Sequence, residues 1–579
     1  MIKRFLPYLK EFKRNAILAP VLIFFEVVCE LIMPLLMARI IDDGIEGGLG
    51  LPVILPCGIA LILLSFLSMY CGVGSAKHSA IASQGFGRNL RGKMFETIQS
   101  FSFADIDRFS SASLITRITN DVTALQQTLA MSLRMLVRAP SQMLASLVVC
   151  LIINARLTIV LLVALPCMVL MVLLIMSKAR LLFQRFQEKM DGLNDAVQEN
   201  LVAIRVVKAF VRAPFEKKKF AKANDELYEA GINAVMLICS VFPIMMTFLN
   251  AATLLVLWFG GRSVTLGTMQ TGELYSFFSY IAHVLISVFM VAICLLQITR
   301  ASACGTRILE VLDTEPSIDD AKKPLCPERS GRVEFRHVSF RYKTEGSGDD
   351  VLHDINLTVE PGEFVAIVGA TGTGKSTLVN LIPRFYDATE GSVLVDGQDV
   401  RDYSIEELRG RIGMVLQKNV LFSGTIRENL LWGDPDATEE QMIACAKSAQ
   451  AHDFILSFPN GYDTYLEQGG VNVSGGQKQR LCIARAMLRH PSILILDDST
   501  SAVDTVTEAS IRKSFKEDLQ GTTVILIAQR ISSVRNADRI IILDDDHVAG
   551  TGTHAELLEN NEIYREICRS QQEGGLSNG

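Results

Sequence analysis

The sequence predicts two structural classes in one chain: an all-α membrane domain of six transmembrane helices with long cytoplasmic extensions, followed by an α/β domain with a parallel sheet. Three observations carry this expectation. Six apolar segments precede residue 305, each roughly 20 to 25 residues long and so able to cross a hydrocarbon core about 30 Å thick. Beyond Ser330 the composition changes to short β-branched runs separated by Gly, Asp and polar turns and alternating with helical stretches. The 579 residues combine a mean hydropathy of +0.30 with 20% charged side chains, a balance that fits lipid-soluble and water-soluble parts in one polypeptide. The expected partition is a membrane domain over 1–305, a linker over 306–330, the α/β domain over 331–570 and a flexible tail over 571–579.

The spans are expected near Ala16 to Ile41, Leu51 to Ser75, Met135 to Asn154, Leu157 to Met176, Ala234 to Gly260 and Leu274 to Ile298. The first is too long for a signal peptide and no small-residue cleavage site follows it, so it reads as retained. Lys and Arg are dense in the amino-terminal stretch, in the segment holding Lys77, Arg88, Arg91 and Lys93, and from Lys178 to Lys222. The alternate connections are short and poor in them, which puts both termini on the cytoplasmic side of a cell (inner) membrane. The two basic connections keep helical periodicity and read as extensions of the membrane helices.

Glu26 and Glu30 stand four apart, on one face near the middle of the first span. They read either as contacts for a cationic or polar substrate or as a pair neutralised by protonation or buried hydrogen bonds. Arg134 and Arg138, at the edge of the third span, are expected to reach toward lipid headgroups. The aromatic cluster Tyr275, Phe277, Phe278 and Tyr280 is expected to pack between helices, with a cavity-lining role as the other reading. A net charge of −6 disfavours a general nucleic-acid binder, so no nucleic-acid partner is expected. The 12 scattered cysteines include no Cys-x-x-Cys pair and read as reduced.

Gly369-Ala370-Thr371-Gly372-Thr373-Gly374-Lys375-Ser376-Thr377 follows the apolar run Phe364 to Val368 and is a complete phosphate-binding loop. Its glycines let successive backbone N–H groups turn toward phosphates, Lys375 supplies a cation and Ser376 offers a hydroxyl to Mg²⁺. The run Ile493 to Leu496 reads as a buried strand that delivers Asp497, a partner for Mg²⁺, at its carboxyl end. Between them, Ser474-Gly475-Gly476-Gln477 precedes a helix and forms a second anion-binding start. The second domain is thus expected to be an α/β P-loop domain that binds a nucleoside triphosphate with Mg²⁺, and we read it as a P-loop ATPase domain with ATP and Mg²⁺ as cofactors.

This ordered set resembles the ATP-binding cassette (ABC) transporters, and within them the exporter half-transporters, over almost the whole chain. The resemblance implies that Tyr342 stacks on adenine and that Gln417 reaches Mg²⁺ and relays nucleotide state to the membrane helices. It implies that Ser474 to Gln477, with Val473 in place of the usual leucine, bind the γ-phosphate of ATP held by the other cassette of a dimer. Ser501-Ala502-Val503-Asp504 resembles the segment that crosses the dimer interface. Ser113 to Asp121 is similar to the segment after the first coupling helix, and coupling helices are expected near Ala104 to Ser110 and Phe210 to Glu216.

Two positions depart from the family pattern. Asp498 follows Asp497 where the family's hydrolytic sites have a glutamate, and Gln529 stands where the family has a histidine that contacts the γ-phosphate. Shortening the side chain by one methylene retracts the carboxylate by about 1.5 Å, and misplacement of about 1 Å can cost on the order of 100-fold. Glutamine donates a hydrogen bond but carries no positive charge. The pattern resembles the degenerate-site subunit of a heterodimeric bacterial multidrug-type exporter, whose second half-transporter carries the faster site. The resulting expectation is ATP-driven export of a small amphipathic molecule across a lipid bilayer. Lipid or peptide export, and an ATP-gated membrane regulator with little turnover, remain the other readings.

Overall fold

The computed structural model describes residues 2–321, 323–342, 350–498 and 503–576. It divides into two units, one of residues 1–97 and 112–314, the other of residues 98–111 and 315–579.

Among the described residues six helices, centred in the first unit, are long and apolar enough to cross a membrane: Lys3–Glu46, Leu51–Ser100, Ser111–Ile153, Ala155–Val202, Ala213–Thr265 and Thr271–Asp313. Each runs well beyond its apolar window, as the unbroken periodicity of the basic connections implies. The sixth continues past residue 305 to Asp313, so the stretch expected to begin a linker starts as helix. Between the third and fourth spans Asn154 makes the turn, its side chain accepting the N–H groups of Arg156 and Leu157. At the other connection the helix Ile204–Ala209 ends before Val211, whose φ of 54° breaks the run, and the next helix starts at Ala213 with Pro214 in its first turn. Of the stretch Phe210 to Glu216 expected to hold a coupling helix, residues 210–212 form the break and residues 213–216 open the long helix Ala213–Thr265. The surroundings of the break carry apolar side chains in the open: Val202, Phe210 and Val211 are 81%, 73% and 79% exposed.

The first and sixth spans are fastened along their length. Asp42 accepts the N–H of Gly272 at 2.6 Å, and a Cβ on Gly272 would stand 2.3 Å from the carbonyl oxygen of Ala38, so only glycine permits this approach. Pro34 lies inside the first span, and Ser276 and Tyr280 of the sixth donate to the carbonyls of Pro34 and Leu31, both at 2.6 Å. Phe277 and Tyr280 are fully buried, in keeping with packing between helices. Near the far end of the sixth span Arg307 grips the buried Asp121 through two bonds of 2.5 and 2.8 Å, and Arg117 reaches Glu310 at 2.7 Å.

Arg138 corrects the sequence expectation. It does not reach toward headgroups but turns inward, donating to Glu26 at 2.5 Å and to Glu30 at 2.6 Å. The helix carrying it begins far ahead of Met135, which sets the guanidinium deep in the bundle. There a carboxylate pair is a stronger partner than a distant interface.

Among its described residues the second unit contains twelve strands: β1 Val333–Phe340, β2 Leu352–Val359, β3 Phe364–Val368, β4 Glu390–Val395, β5 Gln398–Asp399, β6 Ile412–Val415, β7 Gly424–Thr425, β8 Tyr465–Leu466, β9 Ile493–Asp497, β10 Thr523–Ile527, β11 Arg539–Asp544 and β12 His547–Gly552. Its main sheet runs β12-β11-β3-β10-β9-β6, parallel except for β12. Alternate residues of β3 enter different cores, Phe364, Ala366 and Val368 on one face and Val365 and Ile367 on the other. That two-sided burial is why these strands read as unbroken apolar runs. The antiparallel sheet β2-β1-β4-β5 lies beside it.

Arg411 is 1% exposed and fully engaged, bonding Asp396, Glu407 and the carbonyl of Pro327. The same unit includes the short helix Phe103–Phe109, capped by a reciprocal pair between Ser102 and Asp105. It spans almost the residues expected for the first coupling helix. The carboxyl-terminal helix Glu562–Leu576 extends into the stretch expected to be a flexible tail.

Candidate functional site

Four parallel strands deliver the candidate residues to one edge of the sheet. Register aligns Ile527 of β10 with Ile367 of β3 and with Asp497 of β9, and Val415 of β6 with Leu496 of β9. The residues that follow these ends are Gly369, Asp498, Gln529 and Gln417, so a ligand seated there faces all four loops.

The phosphate loop turns through Gly372 and Gly374 at φ of 95° and 79°, conformations that side chains rarely adopt. Gly369 passes close beneath β11, where an added Cβ would lie 2.2 Å from the carbonyl oxygen of Leu543. Thr373 is buried and its hydroxyl donates to the carbonyl of Ala370 at 3.0 Å, closing the loop, while Thr371 is exposed on it. Lys375 folds back and donates to the carbonyls of Gly369 at 3.0 Å and Ala370 at 2.5 Å. Burial lowers its affinity for a proton, and the charges of Asp497 and Asp498 oppose that.

Ser376 donates to Asp497 at 2.9 Å. Asp497 is buried at the end of β9, and burial raises its pKa above the usual carboxylate range, assisted by Asp498 and resisted by Ser376 and Lys375. A carboxylate kept from water, with one hydroxyl donor among the described residues, has unmet demand for positive charge. A hydroxyl, an amide oxygen on the exposed Gln417 and a carboxylate form a hard oxygen donor set suited to Mg²⁺.

The two departing residues meet. Asp498 sits at φ 48°, in the left-handed region that Asp tolerates better than most side chains, and Gln529 donates to its Oδ2 at 3.0 Å. Burial raises the pKa of Asp498 as well, against the charges of Lys375 and Arg530. Gln571 of the carboxyl-terminal helix brackets the loop that carries Gln529: its Nε2 donates to the Gln529 carbonyl at 2.6 Å and its Oε1 accepts the Ile531 N–H at 2.8 Å. No sequence signal marked Gln571, because the bond spans 42 residues.

Tyr342 closes the other flank. Its hydroxyl lies 3.0 Å from that of Thr377, and its ring meets Phe340 and Tyr386 edge to face at 4.9 and 5.3 Å. Tyr386 in turn donates to Asp107 at 2.7 Å, and Phe103 stacks on Phe385 at 4.3 Å, so the short helix Phe103–Phe109 rests directly beside this corner.

Ser474, Gly475, Gly476 and Gln477 are not brought to the phosphate loop. Ser474 caps the helix Gly475–Leu488, its hydroxyl accepting the Gln477 N–H while the Gln477 side chain accepts the Ser474 N–H. Ser474 and Gly475 are exposed, and Val473 beneath them packs in the core. Of the segment Ser501 to Asp504, Ser501 and Ala502 lie outside the described residues.

Two family models match the chain: ABC transporter transmembrane region over residues 16–289 and ABC transporter over residues 352–501. The chain is 41% identical over 571 residues to the uncharacterized ABC transporter ATP-binding protein YfiB of Bacillus subtilis, covering 98% of each. It is 33% identical over 516 residues to an ATP-dependent lipid A-core flippase of Syntrophus aciditrophicus, covering 89% of this chain and 85% of that one. Among solved structures it is similar to a bacterial Atm1-family ABC exporter with ATP bound, at 26% identity and a TM-score of 0.80, covering 96% and 98% of the two chains.

Proposed function

The chain belongs to the ABC transporters, as an exporter half-transporter with its membrane region and ATPase domain in one polypeptide, and we propose that it is the slow-site subunit of a heterodimer. Exporters of this family act as membrane-embedded dimers and couple ATP hydrolysis to transport. In our reading Tyr342 holds the base, the backbone of Gly369 to Gly374 with Lys375 and Thr377 holds the phosphates, and Ser376, Gln417 and Asp497 hold Mg²⁺. When bound, that ion offsets phosphate charge. Ser474 to Gln477 reach the nucleotide of the second half-transporter.

One observation carries the slow-site reading: Gln529 bonds Asp498 at 3.0 Å. Gln529 occupies one oxygen of Asp498 and brings no positive charge of its own to the attacking water. Nucleotide here serves as a long-lived clamp between cassettes, and both termini face the cytoplasm of the cell membrane. The purified complex with its second half-transporter tests this. Asp498→Glu with Gln529→His is expected to raise hydrolysis at this loop by about 100-fold. If this chain alone hydrolyses ATP as fast as the complex, and Asp498→Asn abolishes that activity, the reading fails.

The cargo we infer is a small amphipathic molecule. Lipid export is the second reading, supported by the relative named a lipid A-core flippase. Substrate-stimulated ATPase across chemical classes separates the two.

A further inference from the structure

Side chains, more than the sheet, hold the loop that carries Gln529. Past Ile527 the chain leaves β10, and its main-chain link to β3 is the long bond of 3.5 Å from the Ala528 N–H to the Ile367 carbonyl. Beyond that point Gln571 takes over. Its Nε2 donates to the Gln529 carbonyl at 2.6 Å and its Oε1 accepts the Ile531 N–H at 2.8 Å. A carboxamide presents a donor and an acceptor side by side, so Gln571 pairs with residues 529 and 531 much as a neighbouring strand would. From the helix Thr505–Asp518, Arg512 donates to the carbonyls of Ser532 and Ser533 at 2.8 and 2.7 Å.

The carboxyl-terminal helix Glu562–Leu576 is itself anchored. Tyr564, Cys568 and Gln571 follow one another at spacings of four and three and so share one face. Tyr564 and Cys568 are buried in the same core as Val534, the last residue of the short helix Ile531–Val534 after the loop. The Tyr564 hydroxyl also lies 2.8 Å from His554 Nδ1. Packing therefore fixes the helix, and Gln571 passes that fixed position to the main chain on both sides of Arg530. The consequence falls on Gln529, whose side chain can turn less freely once its own carbonyl is pinned. Its Nε2 donates to Asp498 at 3.0 Å. An amide nitrogen carries two hydrogens, so that bond leaves a second for a phosphate oxygen.

We propose that Gln571 is a positioning residue for the nucleotide site of its own chain: it aims the Gln529 carboxamide at the terminal phosphate and so raises the preference of this loop for a triphosphate over a diphosphate. The inference rests on the reading that places Gln529 beside the γ-phosphate. Gln571 is exposed, so water competes for both of its bonds, and the effect is on the scale of one net hydrogen bond, about fivefold. A residue that only held the fold together would act on both nucleotides alike.

Equilibrium binding of Mg·ADP, and of Mg²⁺ with the β,γ-imido analogue of ATP, to the full chain in lipid nanodiscs tests this. Gln571→Met keeps the length of the side chain and the helix and removes both bonds. It is expected to cut affinity for the triphosphate analogue about fivefold and to leave Mg·ADP unchanged. In a chain that already carries Gln529→Ala the same change is expected to add nothing, because the group it aims is gone. Equal loss for both nucleotides, or a full further loss in the Gln529→Ala background, overturns the inference. Preference lost in Gln529→Ala but kept in Gln571→Met overturns it alone and leaves Gln529 at the γ-phosphate. Preference kept in Gln529→Ala removes that placement, and the inference with it.

Discussion

Asp497 carries a penalty that its ligand relieves. Burial raises its pKa above that of an unfolded aspartate, so in the window between the ordinary and the raised value the folded chain keeps a proton that the unfolded chain has released. Stability from this residue therefore falls as pH rises through the window, and the full penalty stands above it. Asp497→Asn is expected to raise the thermal midpoint of the nucleotide-free protein at neutral pH. The gain should fade as pH drops below the ordinary carboxylate range, and stabilisation by Mg·ATP should be lost. Thermal unfolding with and without Mg·ATP decides this; a lower nucleotide-free midpoint for the variant would show that Asp497 is a net stabiliser. At this scale the sequence was informative where chemistry is contiguous. A phosphate loop needs its glycines, Lys375 and Ser376 within a few residues, whereas Arg138 and Glu26 lie 112 residues apart and no local pattern announces their meeting.

Among elements, the short helix Phe103–Phe109 is tied down by several side-chain contacts. Asp105 caps it and also accepts the Ser317 N–H at 3.0 Å, while Phe103 and Asp107 engage Phe385 and Tyr386. Tyr386 touches Tyr342 as well, so one side chain joins the proposed base pocket to this helix. Tyr386→Phe removes a hydrogen bond to a charged group worth about 1.5–3 kcal/mol. Docking of the helix should weaken by tenfold or more by that arithmetic, and transport per ATP hydrolysed should fall. Comparing vesicle transport with ATPase turnover tests it, and an unchanged ratio would detach Tyr386 from coupling. Helical spans and buried strands were legible because burial on one face or two writes a period into the sequence. The breaks between them were less so: the left-handed Val211 sets the end of the second short helix, and β-branched residues give no warning of that conformation.

For the whole molecule, the placement of Ser474 matters most. It is exposed, capped within its own helix and unconnected to this chain's phosphate loop among the described hydrogen bonds. A signature that serves the other cassette predicts an asymmetric defect. Ser474→Ala should cut the ATPase of the assembled dimer by at least about tenfold, the scale of one lost phosphate contact. Nucleotide affinity at Gly369 to Thr377 of the same chain should persist. Photolabelling each loop separately with an ATP analogue distinguishes the two sites, and loss of labelling on this chain's own loop would argue that the signature acts within the chain.

The open apolar side chains around Phe210 and Val211 bear on how such a protein is made. On the heterodimer reading, a chain synthesised without its counterpart would leave them beside water, where large aromatic and branched surfaces attract chaperones, proteases and one another. In the heterodimer proposed above, balanced production of the two halves would then be a condition of survival for each. An orphan copy should be short-lived in the cell, and pulse-chase labelling with and without the second subunit would measure that lifetime directly.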